Sequence, residues 1–94
     1  MKCLEIIELR AAGNSRELLA SQLQKIISLL EKGSSGQKIK IYTRVLVDSD
    51  FSIMLYHDTM ETGTEGSRLG LHLASTLKVF GLVNHSLWNE LDSQ

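Results

Sequence analysis

The strongest constraint on the fold is a pair of adjacent segments in which apolar residues recur with a period of two. In residues 38–47 one face would carry Ile39, Ile41, Thr43, Val45 and Val47. In residues 51–57 one face would carry Phe51, Ile53, Leu55 and His57. Such alternation is typical of half-buried β-strands, because successive side chains of a strand point to opposite faces of the sheet. The pattern therefore predicts two strands, each with one covered face.

The residues between these strands, Asp48-Ser49-Asp50, predict a tight turn. Aspartate is one of the few non-glycine residues that tolerate a left-handed backbone. The turn would set the register through the pairs Val47–Phe51, Val45–Ile53 and Thr43–Leu55. In that register the apolar residues of both strands share one face, as a hairpin over a core requires.

An amphipathic helix is predicted on each side of this hairpin. Asn14 and Glu17 have capping-box spacing for the first helix, and the glycine and serine residues from Gly33 would end it. Its apolar stripe would consist of Leu19, Leu23, Ile26, Ile27 and Leu30. Ser67 would cap the second helix and Gly81 would end it. The second stripe would consist of Leu69, Leu73, Ala74, Leu77 and Phe80.

Two further strands complete the element order. Residues 3–10 are rich in β-branched and long apolar side chains, and residues 82–91 alternate with a period of two. Residues 58–66 would form a long polar loop before the second helix. The order β-α-β-β-α-β predicts an α+β protein, a single ferredoxin-like domain over residues 1–94. Such a sandwich has a four-stranded antiparallel sheet with two helices on one face.

The face of the sheet turned away from the helices is expected to mediate association. The helices should cover Ile41, Val45 and Ile53. The opposite face would then carry Tyr42, Leu46, Met54, Tyr56 and Trp88. An apolar patch of this kind usually marks an interaction surface. We therefore expect a homodimer in which two copies pack their sheets face to face.

In this element order and expected pairing, the chain resembles the dimeric α/β barrel superfamily, which includes antibiotic-biosynthesis-type and heme-degrading monooxygenases. Members commonly have an aromatic residue, often tryptophan, at the end of the third strand, where this chain has His57. A histidine on the second helix is matched by His72. Heme-degrading members carry an amide side chain on the first strand, near the position of Glu5 or Glu8. Because some members act without a cofactor, the resemblance implies none here.

His72 and His57 are the candidate catalytic residues, since a neutral imidazole can act as a base or orient a substrate near neutral pH. The alternative is that each is structural, His72 at the flank of its helix and His57 hydrogen-bonded at the end of its strand. His85 alternates with apolar neighbours and is interpreted as structural. The three histidines lack metal-ligand spacing, so no metal site is expected. Cys3 is interpreted as a small buried thiol.

Composition excludes several classes of partner. The net charge is −1, with 10 Lys+Arg against 11 Asp+Glu, whereas nucleic-acid binding needs a surplus of Lys and Arg. No apolar run approaches the roughly 20 residues of a membrane span. A single cysteine suits a reducing compartment, and Glu5 comes too early for a signal peptide, so we expect a cytoplasmic protein.

Two functions remain open at this point. The first is a non-catalytic homodimeric module that binds a small molecule or a protein partner. The second is a cofactor-independent, monooxygenase-like enzyme that acts on a small organic substrate in the cleft between sheet and helices. Whether the protein is an enzyme is not decided by its sequence, because no nucleophile, metal cluster or phosphate-binding loop stands out from ordinary structural roles.

Overall fold

Four strands and two α-helices follow one another in the predicted order β-α-β-β-α-β. The structure, a computed structural model, describes residues 2–12, 16–33, 38–57 and 66–91. The elements are β1 (Cys3–Ala11), α1 (Arg16–Gly33), β2 (Lys38–Arg44), β3 (Val47–His57), α2 (Arg68–Leu77), a 3-10 turn (Lys78–Phe80) and β4 (Gly81–Asn89). The predicted cap at Asn14 and most of the predicted polar loop, residues 58–65, lie outside the described residues.

The strands form one open sheet in the order β2-β3-β1-β4, and each neighbouring pair is antiparallel. The central strands are β1 and β3. Helix α1 connects β1 to the edge strand β2, the hairpin connects β2 to β3, and helix α2 connects β3 to the edge strand β4. The class is therefore α+β, and the arrangement is compatible with a ferredoxin-like fold.

Both helices lie on the same face of the sheet, where a single apolar core holds the domain together. From α1 the core takes Leu19, Leu23 and Ile27, and from α2 it takes Leu73, Ala74 and Leu77. The sheet contributes Ile7, Leu9, Ile39, Phe51, Ile53 and Leu55. The helical stripes repeat every three or four residues and the strand residues every two, so each element buries one side only. The predicted stripes are confirmed at these described positions.

The hairpin is present, but its predicted turn is wrong. The turn lies at Val45 and Leu46, and Asp48-Ser49-Asp50 belongs to β3. Thr43 consequently pairs with Phe51 rather than with Leu55, and a bulge follows at Arg44. The inward face remains correct for Ile41 and Ile53 because the shift covers an even number of residues.

The tip of this hairpin is apolar and exposed, which corrects a second expectation. Val45 is 83% exposed and Leu46 is 97% exposed, so the helices do not cover Val45. Leu46 has φ +65°, the only non-glycine residue with positive φ among those described. Positive φ is confined to the second of the two turn residues, so the turn differs from the primed types that match hairpin twist best, and a register irregularity between Thr43 and Arg44 lies beside it.

Gly81 begins β4 rather than ending a helix in a left-handed conformation. Its φ of 160° is extended, and the helix gives way to the 3-10 turn at Lys78. A Cβ atom on Gly81 would lie 2.0 Å from the backbone oxygen of Arg10. Glycine is therefore required because the two backbones approach closely where β4 joins β1.

The sheet face turned away from the helices is called the open face below. Its residues are Leu4, Ile6, Glu8 and Arg10 of β1, Lys38, Lys40, Tyr42 and Arg44 of β2, Asp50, Ser52, Met54 and Tyr56 of β3, and Leu82, Asn84, Ser86 and Trp88 of β4. Among the described residues no helix packs on this face. None of the described helices is long and apolar enough to cross a membrane.

Candidate functional site

A glutamate lies in the core layer between sheet and helices. The inward positions of β1 are Cys3, Glu5, Ile7 and Leu9, so strand alternation places Glu5 among apolar neighbours. Its side chain is 0% exposed, and it is the one buried charged residue in the described part of the chain. A buried carboxylate is strongly unfavourable unless it is paired and hydrogen-bonded, and its surroundings therefore decide its role.

Two histidines from the flanking strands bind this carboxylate. His57 Nε2 lies 2.9 Å from Oε1, and His85 Nε2 lies 2.5 Å from Oε2. The sheet register explains the arrangement, because His57 pairs with Cys3 on one side of β1 and His85 pairs with Ile7 on the other. Each histidine is thus diagonal to Glu5 on the inward face, within reach of a long side chain.

Ser67, at the start of α2, supplies the remaining hydrogen bonds. Its Oγ donates to Oε1 of Glu5 at 2.6 Å, and its backbone N–H donates to Oε2 at 3.2 Å. The same Oγ accepts from the backbone N–H of Gly70 at 2.9 Å, which confirms the predicted N-cap. The carboxylate therefore lies at the positive end of the α2 dipole, where negative charge is favoured.

Two glycines, which lack a Cβ atom, make room for the carboxylate of Glu5. A Cβ atom on Gly70 would lie 1.7 Å from Oε2 of Glu5. A Cβ atom on Gly66 would lie 2.6 Å from the same oxygen, and the backbone there has φ +113°, which L side chains rarely adopt. The start of α2 is therefore shaped around Glu5. We call Glu5, His57, Ser67 and His85 the Glu5 cluster.

Glu5 is ionised in this environment. Burial by itself raises its pKa, but hydrogen bonds from Ser67, His57 and His85, together with electrostatic attraction to the His85 imidazole, outweigh burial, so the pKa lies below its ordinary value. An ionised carboxylate only accepts hydrogen bonds, so the Nε2 atom of each histidine carries a proton. In its neutral form each imidazole would then have Nδ1 as its proton acceptor.

The cluster can therefore hold two imidazoles in one tautomer and orientation. The side chain of His57 is 10% exposed and that of His85 is 16% exposed, so both reach the surface only partly. A carboxylate that fixes the tautomer of a histidine is a recurrent part of acid–base sites. The same contacts also tie β1, β3, β4 and α2 together, which is a structural role.

The predicted site residues separate in the structure. His57 belongs to the Glu5 cluster, whereas His72 is exposed on α2 and is not a hydrogen-bond partner of Glu5. His85, interpreted from sequence as structural, is the second imidazole on the carboxylate. Sequence reasoning missed Glu5 as the centre of the cluster. The signal was available, since Glu5 interrupts an otherwise apolar inward face of β1.

Other candidate features lie apart from the cluster. No group of three or more histidine, cysteine, aspartate or glutamate residues in the described segments is arranged to hold a metal ion. Cys3 is buried and donates to Oδ1 of Asn89 at 3.1 Å. A cavity of about 520 Å³ lies on the open face beside Arg10, Tyr42, Arg44, Asp50 and Leu82, not beside Glu5.

No protein-family model matches the chain, and no curated protein or solved structure shows significant similarity to it.

Proposed function

We propose that this chain is a non-catalytic binding module that works as a homodimer of the dimeric α/β barrel type. The observation that carries the proposal is the contrast between the two faces of the sheet. One face is covered by α1 and α2, whereas the open face exposes Trp88 and Tyr42 beside Leu4, Ile6 and Met54. Exposed aromatic and aliphatic residues in one continuous patch favour association.

The size of the open face supports a stable interface. Strands of about nine residues are roughly 30 Å long, and four strands are roughly 19 Å wide, so the face projects about 570 Å². The accessible area of a surface that carries side chains exceeds its projection. Standard interfaces bury about 600–1,000 Å² on each partner, so this face lies near the lower end of that range.

The dimer is tested with a matched pair of substitutions. Trp88 on the open face and Leu18 on α1 are each 58% exposed, so Trp88→Glu and Leu18→Glu add the same charge at equally exposed apolar positions. Sedimentation equilibrium at micromolar concentration should give a dimer for the wild type and Leu18→Glu, and a weakened dimer for Trp88→Glu. A monomeric wild type, or equal behaviour of the two variants, contradicts the proposal.

The Glu5 cluster favours a second candidate, a cofactor-independent, monooxygenase-like enzyme. Glu5 Oε1 lies 2.9 Å from Nε2 of His57, and a carboxylate that orients an imidazole in this way is what a general base at His57 would require. In this candidate His57 and His85 would replace His72 as the acting residues, because His72 is outside the cluster.

Native mass spectrometry of gently purified protein tests both functions together, because it reports subunit number and any retained small molecule. For the enzyme candidate, oxygen uptake with that retained molecule should fall in His57→Ala and persist in His72→Ala. If the wild type takes up no oxygen with the molecule it retains, the binding module stands and the enzyme candidate is wrong.

A further inference from the structure

The open face has two chemically different halves. The register aligns its residues in four rows that run from β2 to β4. The first two rows are Lys38–Tyr56–Leu4–Trp88 and Lys40–Met54–Ile6–Ser86. The other two are Tyr42–Ser52–Glu8–Asn84 and Arg44–Asp50–Arg10–Leu82, with Arg44 placed beside Asp50 by its ion pair. The first pair of rows is the apolar half, and the second pair is the charged half.

A two-fold dimer that packs one open face on another has an axis lying between the two sheets. If the axis is parallel to the strands, each half meets the same half of the second copy, with β2 over β4. If the axis is perpendicular to the strands, the apolar half of each copy meets the charged half of the other. The chemistry of the rows therefore distinguishes the two arrangements.

The parallel axis matches the apolar residues. Across the central strands Tyr56 would face Leu4 of the second copy, and Met54 would face Ile6. At the edges Lys38 would face Trp88, an arrangement that places an ammonium group over an indole ring. Within one copy the Lys38 ammonium already lies 5.8 Å from the centre of the Tyr56 ring, so it is placed among aromatic residues.

The parallel axis also pairs the opposite charges of the two central strands, whereas at the edges Arg44 would face Leu82. Arg10 Nε lies 3.5 Å from Asp50 Oδ1 within one copy, and the side chain of Arg10 remains largely exposed. Because β1 and β3 are central, the axis would place Asp50 of one copy over Arg10 of the other, and the reverse. The two ion pairs would form a ring of alternating charges at the interface, where complementary charges fix orientation.

With the perpendicular axis, both charged and apolar residues of the open face would meet unfavourable partners. Lys38 would face Arg44 of the second copy, which brings like charges together. Leu4 would face Arg10, and Ile6 would face Glu8, so apolar residues would desolvate charged groups without pairing them. This inference rests on the proposed homodimer. We propose that the two-fold axis of that homodimer runs parallel to the strands, between β1 and β3, so that β2 of each copy covers β4 of the other.

Site-specific cross-linking tests the axis. Facing sheets lie about 10 Å apart, a gap that a short bifunctional thiol reagent spans. Lys40→Cys with Ser86→Cys reports the parallel axis, because Lys40 faces Ser86 of the second copy. Lys38→Cys with Arg44→Cys reports the perpendicular axis. Neither pair can react within one chain, since three strand spacings are about 14 Å and six residues of strand about 20 Å. Cys3→Ser in both removes the native thiol.

The expected result is a covalent dimer from Lys40→Cys/Ser86→Cys and none from Lys38→Cys/Arg44→Cys. The opposite result overturns the parallel axis and leaves the homodimer intact. If neither pair cross-links although sedimentation shows a dimer, the parallel axis is wrong, and the sheets either cross at an angle or associate through another surface. Protein that is monomeric by sedimentation overturns the homodimer itself, so the two failures are distinguishable.

Discussion

The side chain of Glu5 connects β1 to β3, β4 and α2 through three residues. His57, His85 and Ser67 all donate to its two oxygens, and no described buried side-chain nitrogen or oxygen lacks a partner. Buried polar groups that are all hydrogen-bonded contribute to stability. If one partner is removed, the remaining groups stay buried without hydrogen bonds, and this lowers the free energy of unfolding. Replacement of Glu5 should therefore have the largest electrostatic effect of any single substitution on the stability of the fold.

Replacement of Glu5 by glutamine tests this role. The amide keeps the shape but loses the charge and presents N–H groups to donors, so Glu5→Gln should lower the free energy of unfolding by about 1–3 kcal/mol. Urea denaturation measures the change. Glu17→Gln is the control, because Glu17 is exposed on α1, away from the open face, and exposed substitutions usually change stability by less than about 0.5 kcal/mol. Equal effects of the two substitutions would show that the cluster contributes nothing.

The lowered pKa of Glu5 predicts a dependence of stability on pH. A carboxyl whose pKa is depressed by folding stabilises the native state above its unfolded pKa, and that contribution is lost as pH falls through the folded pKa. The ordinary value is 4.5, so the loss belongs to the pH range below it. The difference in unfolding free energy between wild type and Glu5→Gln should therefore shrink as the pH falls below 4.5. A difference that stays constant below pH 4.5 contradicts the assignment of an ionised Glu5.

At the scale of elements, the first turn of α2 is built around the carboxylate. Gly70 is a helical residue, and replacement of a helical glycine by alanine ordinarily stabilises a protein by about 0.5–1 kcal/mol. Here the new Cβ atom would overlap Oε2 of Glu5. Gly70→Ala should therefore lower the free energy of unfolding, which is opposite to the usual effect of replacing a helical glycine by alanine.

A double-mutant cycle isolates the cause. In a Glu5→Ala background the space is empty, so Gly70→Ala should be much less harmful than in the wild type, and the two effects should be non-additive. Ser75→Ala, at an exposed position of the same helix, serves as the control for helix propensity. Additive effects would mean that Gly70 is required for some reason other than Glu5.

The turn between β2 and β3 stores backbone strain at Leu46. A left-handed conformation costs an L residue roughly 1–2 kcal/mol, and asparagine adopts it more readily than leucine. Since Leu46 is almost fully exposed, Leu46→Asn loses no packing within the chain. The free energy of unfolding should rise by up to about 1 kcal/mol, measured by urea denaturation. Val45→Asn, at a neighbouring exposed position without positive φ, should bring no such gain.

At the scale of the whole molecule, the open face predicts that stability depends on protein concentration. Association of native chains favours the folded state by mass action, so the melting temperature of the wild type should rise with concentration. Trp88→Glu should reduce that dependence, and Leu18→Glu should not. Differential scanning calorimetry over a wide concentration range measures it. A melting temperature independent of concentration would indicate that folded chains do not associate.

Element type and order followed from sequence because they depend on local periodicity. Leu19, Leu23 and Ile27 repeat at helical spacing, and Ile53 and Leu55 alternate as in a strand, so each pattern predicts its element without knowledge of the rest. The N-cap at Ser67 was equally local. The turn at Val45 and Leu46 was not predicted, because its position depends on the register in which β2 and β3 pair, and the preference of aspartate for turns does not set that register.

The sequence by itself determined the element order, the α+β class and the inward positions of Ile39 and Ile41 in β2 and of Phe51, Ile53 and Leu55 in β3, because these arise between residues only a few positions apart. Only the tertiary structure decided that Glu5, His57, Ser67 and His85 form one cluster. Their carboxylate, imidazole and hydroxyl groups come from β1, β3, the start of α2 and β4, up to 80 positions apart in the chain. Pairing over that distance is set by strand order and register, and no local pattern contains either.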